Sequence, residues 1–446
     1  MNLTFARMNS RVGKGFFVNL LGVLLVTALH PSAPALASET PELVDSDGPV
    51  TAMFSSPEFV EFDNKLFFVA SGKDSANDDT GFEIFKFDKS SGEISLAVNM
   101  NGTGSSFPSE LIVFNDTLYF AAKPNDEFEL YKYLPAESPN LAGSPVGEIQ
   151  AGSSNVQGLV IYNEELHLFA NDGTGNDLEL YSYNGTVWPP TKISGTLSFP
   201  SQNIFPTVLG DELYFRAWND SSGETASDAS VWSLTGTTFS TSKYQSADGE
   251  LTPGDLTVFK DSLVYEANGS VGTEVYVFDP SASAVSRVTN INTSGGSLPT
   301  DFTTFEDELF FSATDGSTTG RELYSFDGTN VRLVEDIYAG ADSSSPSSMT
   351  VYNGALFFAA ADGSVGKEMR ILDAPDSDVA LFADLNAGTG IGEGPENLFV
   401  FDGELYFVNG VDDQLYSFAR VPTPTSTSTP APPPYTGPII SGTEQG

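Results

Sequence analysis

An all-β propeller of four-stranded antiparallel blades, eight of them, is the fold this sequence predicts, and three observations predict it. A phrase of the form Leu-aromatic-aromatic-x-Ala recurs eight times, led by Leu66, Leu118, Leu166, Leu213, Leu263, Leu309, Leu356 and Leu405, at steps of 46 to 52 residues. Each copy divides into short runs rich in Phe, Tyr, Val and Leu, separated by Gly, Asp, Asn and Ser, which is the patterning of strands and turns. Beyond residue 37 no stretch sustains the 3.6-residue apolar period of a helix. A four-strand unit of this length cannot bury both faces alone and hides them against its neighbours, as propeller blades do. Seven blades is the alternative, should one degenerate copy fail to form a blade.

Taken in order, residues 1–37 read as a secretory signal peptide. Arg7, Arg11 and Lys14 precede an apolar run from Phe16 to Leu29, and Ala35-Leu36-Ala37 supplies the small residues a signal peptidase requires. The run is short against the ~20 residues that span a bilayer, so cleavage before Ser38 is expected rather than an anchor. The propeller is expected over 38–420. In the sixth copy Phe302–Phe305, Leu309–Ala313, Glu322–Phe326 and Val331–Ile337 are its four strands, with turns at Glu306-Asp307 and Asp327-Gly328. The eighth copy lacks a fourth strand, whereas Glu42-Leu43-Val44-Asp45 resembles the fourth-strand phrase Leu333-Val334-Glu335-Asp336. The N-terminal strand is therefore expected to complete the last blade and remove the free edge at the seam. Residues 421–434 form a Pro/Thr/Ser-rich linker. Residues 435–446 are a tail, either disordered or the start of a further domain or anchor.

Charge narrows the function classes. Without residues 1–37, which hold three basic residues and no acid, 16 basic side chains face 60 acidic ones, a net charge of −44. Such a chain repels nucleic acid and anionic membranes. Cysteine is absent, and the two histidines are His30, inside the leader, and His167. Thiol nucleophiles, cysteine-ligated metals and multi-histidine sites are thereby excluded, and a Ser-His-Asp triad has only His167 to use. At the second position of the repeat phrase, His167 reads as a partly buried structural residue.

Glu322-Leu323-Tyr324-Ser325-Phe326-Asp327-Gly328-Thr329 resembles the ELWxxDGT, or hyalin-like, repeat of bacterial extracellular proteins; Glu179 to Thr186 and Val231 to Thr237 are weaker copies. The resemblance spans about residues 42–420. It implies propeller blades and an extracellular setting, and it assigns no ligand. The leading acid of the motif stands at Glu83, Glu129, Glu179, Glu274, Glu322 and Glu368, but is Ser230 and Gln414 in the other two copies. A residue shared by six internal copies reads as architecture: a glutamate entering a strand accepts N–H groups from a neighbouring loop and ties blades together.

The loops between second and third strands carry the candidate ligand groups. Asp74, Asp78, Asp79, Asp172, Asp177, Asp315 and Asp362 would form an acidic ring on one face, and calcium takes oxygen ligands of this kind. No copy contains a full calcium-loop motif; Asp45-Ser46-Asp47-Gly48 is a fragment. Trp218 is a candidate for stacking on a sugar ring. Arg216 and Glu266 replace a small or apolar residue in consecutive copies and call for partners. The function expected from this reading is a secreted or cell-surface adhesion scaffold, non-enzymatic, contacting an extracellular polymer or protein through repeated acidic loops. The alternatives are a polysaccharide-active enzyme with paired carboxylates near the central channel and a structural surface-coat protein.

Overall fold

Alternating strand and turn chemistry gives antiparallel hairpins, and hairpins give blades. The computed structural model describes residues 40–418, apart from 46–47, 55–57, 138, 140–142, 175–176, 194–196, 200–203, 220–228, 241–242, 245, 247–251 and 386–393. The expected leader, linker and tail lie outside these residues. The strands among them form eight antiparallel sheets; in seven the strands follow sequence order, and in the eighth the chain's first strand takes the outer place. Blade 6 is representative: Thr300–Phe305, Glu308–Thr314, Arg321–Phe326 and Val331–Glu335. The turn into its last strand is set by Asp327, whose Oδ1 accepts the N–H groups of Thr329 and Asn330 at 2.7 Å each, while Gly328 takes φ +100°. In blades 1 and 4 the first strand is broken in two, as Val50–Met53 with Val60–Phe62 and as Leu197–Ser198 with Thr207–Leu209.

The ring closes at the seam. Glu42–Leu43 is the outer strand of blade 8, pairing with Gln414–Phe418 in the register Glu42↔Ser417 and Leu43↔Tyr416. Asp45 then crosses to blade 1, where its Oδ2 accepts the N–H of Ile94 at 2.9 Å. Beneath this strand, Val50, Phe68 and Phe85 of blade 1 share one core with Phe401, Tyr406 and Leu415 of blade 8. Phe59 stacks on Phe399 at 3.8 Å between centroids. Deleting residues 38–45 should lower Tm by several degrees, since it removes a few kcal/mol of burial and pairing. It should also produce concentration-dependent self-association through the freed edge. Calorimetry and light scattering read both effects, and a deletion that leaves Tm unchanged would show the seam to be closed without this strand.

The core lies between blades. Phe305, Phe310 and Leu323 of blade 6 pack with Met349, Leu356, Phe358 and Leu372 of blade 7, and the pattern repeats around the ring. All eight leading leucines of the repeat phrase are 0–2% exposed. First strands of successive blades touch one another, as Thr300–Phe305 touches Ser347–Tyr352 and Ser347–Tyr352 touches Pro395–Phe401. They therefore sit at the axis, each at the inner end of its sheet.

Candidate functional site: the axial channel

Where each predicted site residue falls decides what is left for function. Five of the six repeat glutamates are buried: Glu83, Glu274 and Glu322 at 0%, Glu368 at 1% and Glu129 at 6% exposure. Each reaches the segment that leads to the next blade. Glu322 Oε1 accepts Ser344 N–H at 2.9 Å, and Oε2 accepts the Ser344 hydroxyl and Ile337 N–H, the latter at 3.1 Å. Glu274 repeats this with Ser297 and Thr289, Glu83 with Ser106 and Met100, Glu129 with Ser154, and Glu368 with Leu385. Burial pushes Glu83 and Glu322 up to about 7, against the lowering effect of these donors. Glu179 differs: it is partly exposed and pairs with Lys192 at 3.1 Å.

The acidic loops are engaged within their own blades. Asp74 Oδ1 accepts the N–H groups of Ala76 and Asp78, and Asp79 pairs with Lys73 at 2.8 Å. Asp172 accepts from Thr174 and pairs with Lys192 at 2.9 Å, which holds its carboxyl down at about 2. Asp315 accepts from the N–H groups of Ser317, Thr318 and Thr319; Asp362 accepts from Ser364 and pairs with Arg370 at 2.8 Å. Asp177 is exposed in the third loop. Among the described residues no three His, Cys, Asp or Glu are grouped to hold a metal ion. The fragment at Asp45 falls partly outside the described residues.

Trp218 is 4% exposed, so its ring lies inside the blade rather than at a loop mouth. His167 is 3% exposed, packs edge-on to Tyr162, and is held below its usual pKa by burial. Its Nδ1 lies 3.3 Å from the Glu165 carbonyl oxygen. Arg216 and Glu266 do not form a pair: each is perturbed first by burial, Arg216 downward and Glu266 up to about 7. Glu266 instead lies over Gly254, where a Cβ would sit 1.8 Å from its Oε1, and feels the charge of neighbouring Asp255. Burial also raises the pKa of Asp255. Asp255 stands just before the first strand of blade 5, Thr257–Phe259, and Glu266 within its second, Ser262–Gly269.

The first strands hold the residues that sequence reasoning passed over. Eight residues before each leading leucine stand Glu58, Glu110, Gly158, Phe205, Asp255, Asp301, Ser348 and Asn397. Five non-glycine members adopt left-handed φ, including Glu110 at 58° and Asp301 at 58°, at a bulge that shifts the register. The bulge turns the side chain toward the next blade. Glu58 Oε2 accepts Leu111 N–H at 2.6 Å, Glu110 Oε2 accepts Leu159 N–H at 2.9 Å, and Asp301 Oδ1 accepts Ser348 N–H at 3.1 Å. Asn397 N–H donates to Ser348 Oγ at 3.0 Å in the same way. Burial holds Glu58 above its ordinary pKa even though water reaches it along the axis.

Three residues further along comes a second ring. Glu61, Val113, Ile161, Val208, Val258, Thr304, Val351 and Val400 are each the Cα partner of a leading leucine. The leucines are buried, yet Ile161, Val208, Val258, Val351 and Val400 are 36–45% exposed. These side chains therefore stay open to water at the inner ends of their sheets, one or two residues before the turn into the second strand. Beside Glu61 and Val113 the ring opens into a recess of about 730 Å³ that also meets Asp63, Asp116 and Pro135. The inner strands thus carry five exposed aliphatic side chains, with acids at four of the eight strand starts, Glu58, Glu110, Asp255 and Asp301.

No family model and no curated protein matches the sequence. Solved structures do. They include a prolyl endopeptidase from a study of two such enzymes, 12% identical over 82% of this chain and 55% of that one, at a TM-score of 0.50. A puromycin-hydrolysing peptidase of Mycobacterium tuberculosis is 10% identical over 81% of this chain and 60% of that one, at 0.46. The propeller domain of the Trilobed protease of Pyrococcus furiosus is 10% identical over 82% and 95% of the two chains, at 0.39. This chain thus spans 55–60% of the first two proteins, and the likeness is one of fold. It corrects the expectation of a non-enzymatic adhesion scaffold: the propellers it resembles belong to peptidases, and the acidic loops meant to make the contacts are tied down within their blades. The chain has an eight-bladed propeller fold, and the solved structures that share it include peptidases.

Proposed function

We propose that the chain is the propeller part of a peptidase system, admitting extended polypeptide at its axis for hydrolysis by machinery outside residues 40–418. The observation that carries this reading is the belt of aliphatic side chains held open to water on the innermost strands. Solvent-exposed apolar side chains gathered at one register position mark a surface kept for a partner. The peptidase names of the solved neighbours support it. A buried His167 supports the second half, because a nucleophile–histidine pair needs an imidazole that substrate and nucleophile can both reach. Export by the leader at 1–37, and membership of the ELWxxDGT-repeat group on the motif Glu322–Thr329, belong to the same proposal.

The test is a map of contacts. An unstructured polypeptide carrying a photoreactive phenylalanine analogue is irradiated with the purified chain, and the adducts are located by mass spectrometry. Adducts should concentrate on the first strands, at Val258–Phe259 and Val351–Tyr352. Adducts confined to outer fourth strands, or none at all, would overturn the reading. Peptide hydrolysis by the purified chain alone would contradict the placement of the chemistry elsewhere.

A further inference from the structure

We propose that the crevice between blades 5 and 6 binds a small uncharged compound made of one aromatic ring and a short tail. Such a site takes a small molecule rather than polypeptide, so it goes beyond the proposed function and does not depend on it. Its origin lies in the repeat phrase. The residue after the leading leucine is Phe or Tyr in six copies and His167 in a seventh, but Val264 in blade 5. At other seams this ring packs on a third-strand ring of the next blade. Tyr119 meets Tyr183 at 6.0 Å between centroids, Tyr214 meets Phe278 at 5.5 Å, and Tyr406 meets Phe87 at 6.0 Å. Tyr183, Phe278 and Phe87 are each the Cα partner of their own blade's leading leucine, and in blade 6 that partner is Phe326. Phe326 shares its core with Val264 and meets Phe259 at 5.9 Å. One ring fewer is packed at this seam, and a crevice of about 440 Å³ opens there. It crosses blade 5 from Phe259 of the first strand through Ser262 and Val277 to Ser286 of the fourth, with Phe326 of blade 6 opposite.

The lining sets the ligand's chemistry. A benzene-sized ring occupies a cavity of about 150 Å³, and small-ligand pockets begin at about 300 Å³, so the crevice holds a ring with a short tail. Phe259 and Phe326 offer ring surfaces, Val277 an apolar wall, and Ser262 and Ser286 hydroxyls for a polar tail end. Its two charged residues, Lys260 and Asp279, are of opposite sign and both are engaged. Lys260 Nζ donates to the Asp327 carbonyl at 2.7 Å and lies 4.9 Å over the Phe259 ring. Asp279 Oδ1 accepts the Ser281 N–H at 2.9 Å and its hydroxyl at 2.7 Å. A charged ligand would have to compete with these contacts for a counterion, and a neutral one would not.

The experiment titrates the purified chain with phenylbutanol, read by saturation-transfer NMR. Binding should be saturable. Phenylbutyrate should bind about tenfold more weakly, and cyclohexylbutanol about fivefold more weakly because it lacks the ring-to-ring contact. V264F puts back the ring that the other seams carry and should weaken phenylbutanol binding at least about tenfold. S286W, at an exposed position of the outer strand, should do the same with Tm unchanged, and it decides the matter alone if V264F overpacks the seam. Absence of saturable binding, or affinity that S286W leaves unchanged, would overturn the site. Equal binding of phenylbutyrate would overturn the preference for a neutral ligand, and equal binding of cyclohexylbutanol the preference for an aromatic one.

Discussion

Glu322→Ala should lower stability by about 3–5 kcal/mol, because it leaves buried donors without an acceptor. Ser344 N–H, the Ser344 hydroxyl and Ile337 N–H all converge on this one carboxyl, which is 0% exposed. In a chain of this size the loss corresponds to a fall in Tm on the order of 10 °C. The control lies in the same motif position three blades earlier. Glu179 is partly exposed and pairs with Lys192, and an exposed ion pair contributes about 0–1 kcal/mol. Glu179→Ala should therefore shift Tm by a degree or two. Equal effects of the two substitutions would show that the motif glutamate acts through strand propensity rather than through the inter-blade clamp.

The same carboxyls make stability rise on mild acidification. Glu83 and Glu322 titrate near 7 in the folded chain because burial outweighs their hydrogen bonds, and near 4.5 when unfolded. Between those values the folded state binds more protons, so stability falls as pH rises through about 7 and is fully recovered below about 4.5. For two buried groups the effect is on the order of 2–3 kcal/mol each. Protonation also relieves self-repulsion in so acidic a chain, in the same direction. Asp172, held at about 2 by Thr174 and Lys192, acts oppositely, and its contribution is lost only as pH falls below the ordinary aspartate range. Tm should peak near pH 5 and be lower at pH 8, and an E83Q/E322Q variant should flatten the alkaline side. A Tm that rises steadily from pH 5 to 8 would refute this assignment.

Much of the fold was legible because blades repeat. Eight leading leucines at near-constant spacing imposed eight hairpin pairs, and the missing fourth strand of the last copy pointed to Glu42–Leu43 as its completion. Strand ends moved by one or two residues, as at Thr300 and Arg321, where bulge and edge pairing extend the ladders. The motif glutamates were readable as clamps since an acid shared by six internal copies points to architecture, and five of the six are buried on the linking segment. In the acidic loops, Asp before Gly, Ser or Thr looks the same in sequence whether it ligates an ion or caps its own turn, and the structure shows the caps at Asp172, Asp315 and Asp362. Trp218, a stacking candidate in the sequence, lies inside the strand Glu212–Asn219 and is 4% exposed, which only the structure could place.

What the sequence by itself determined is the blade: strand, turn and clamp chemistry are local, and each copy carries its own. What only the tertiary structure decided is the channel. Val258 and Val351 read in the sequence as ordinary strand residues, opposite leucines that are fully buried. They are left open to water because closing eight blades into a ring brings their strands to the axis, where no further sheet remains to cover them. That exposure is a property of the closed ring, and no single repeat encodes it.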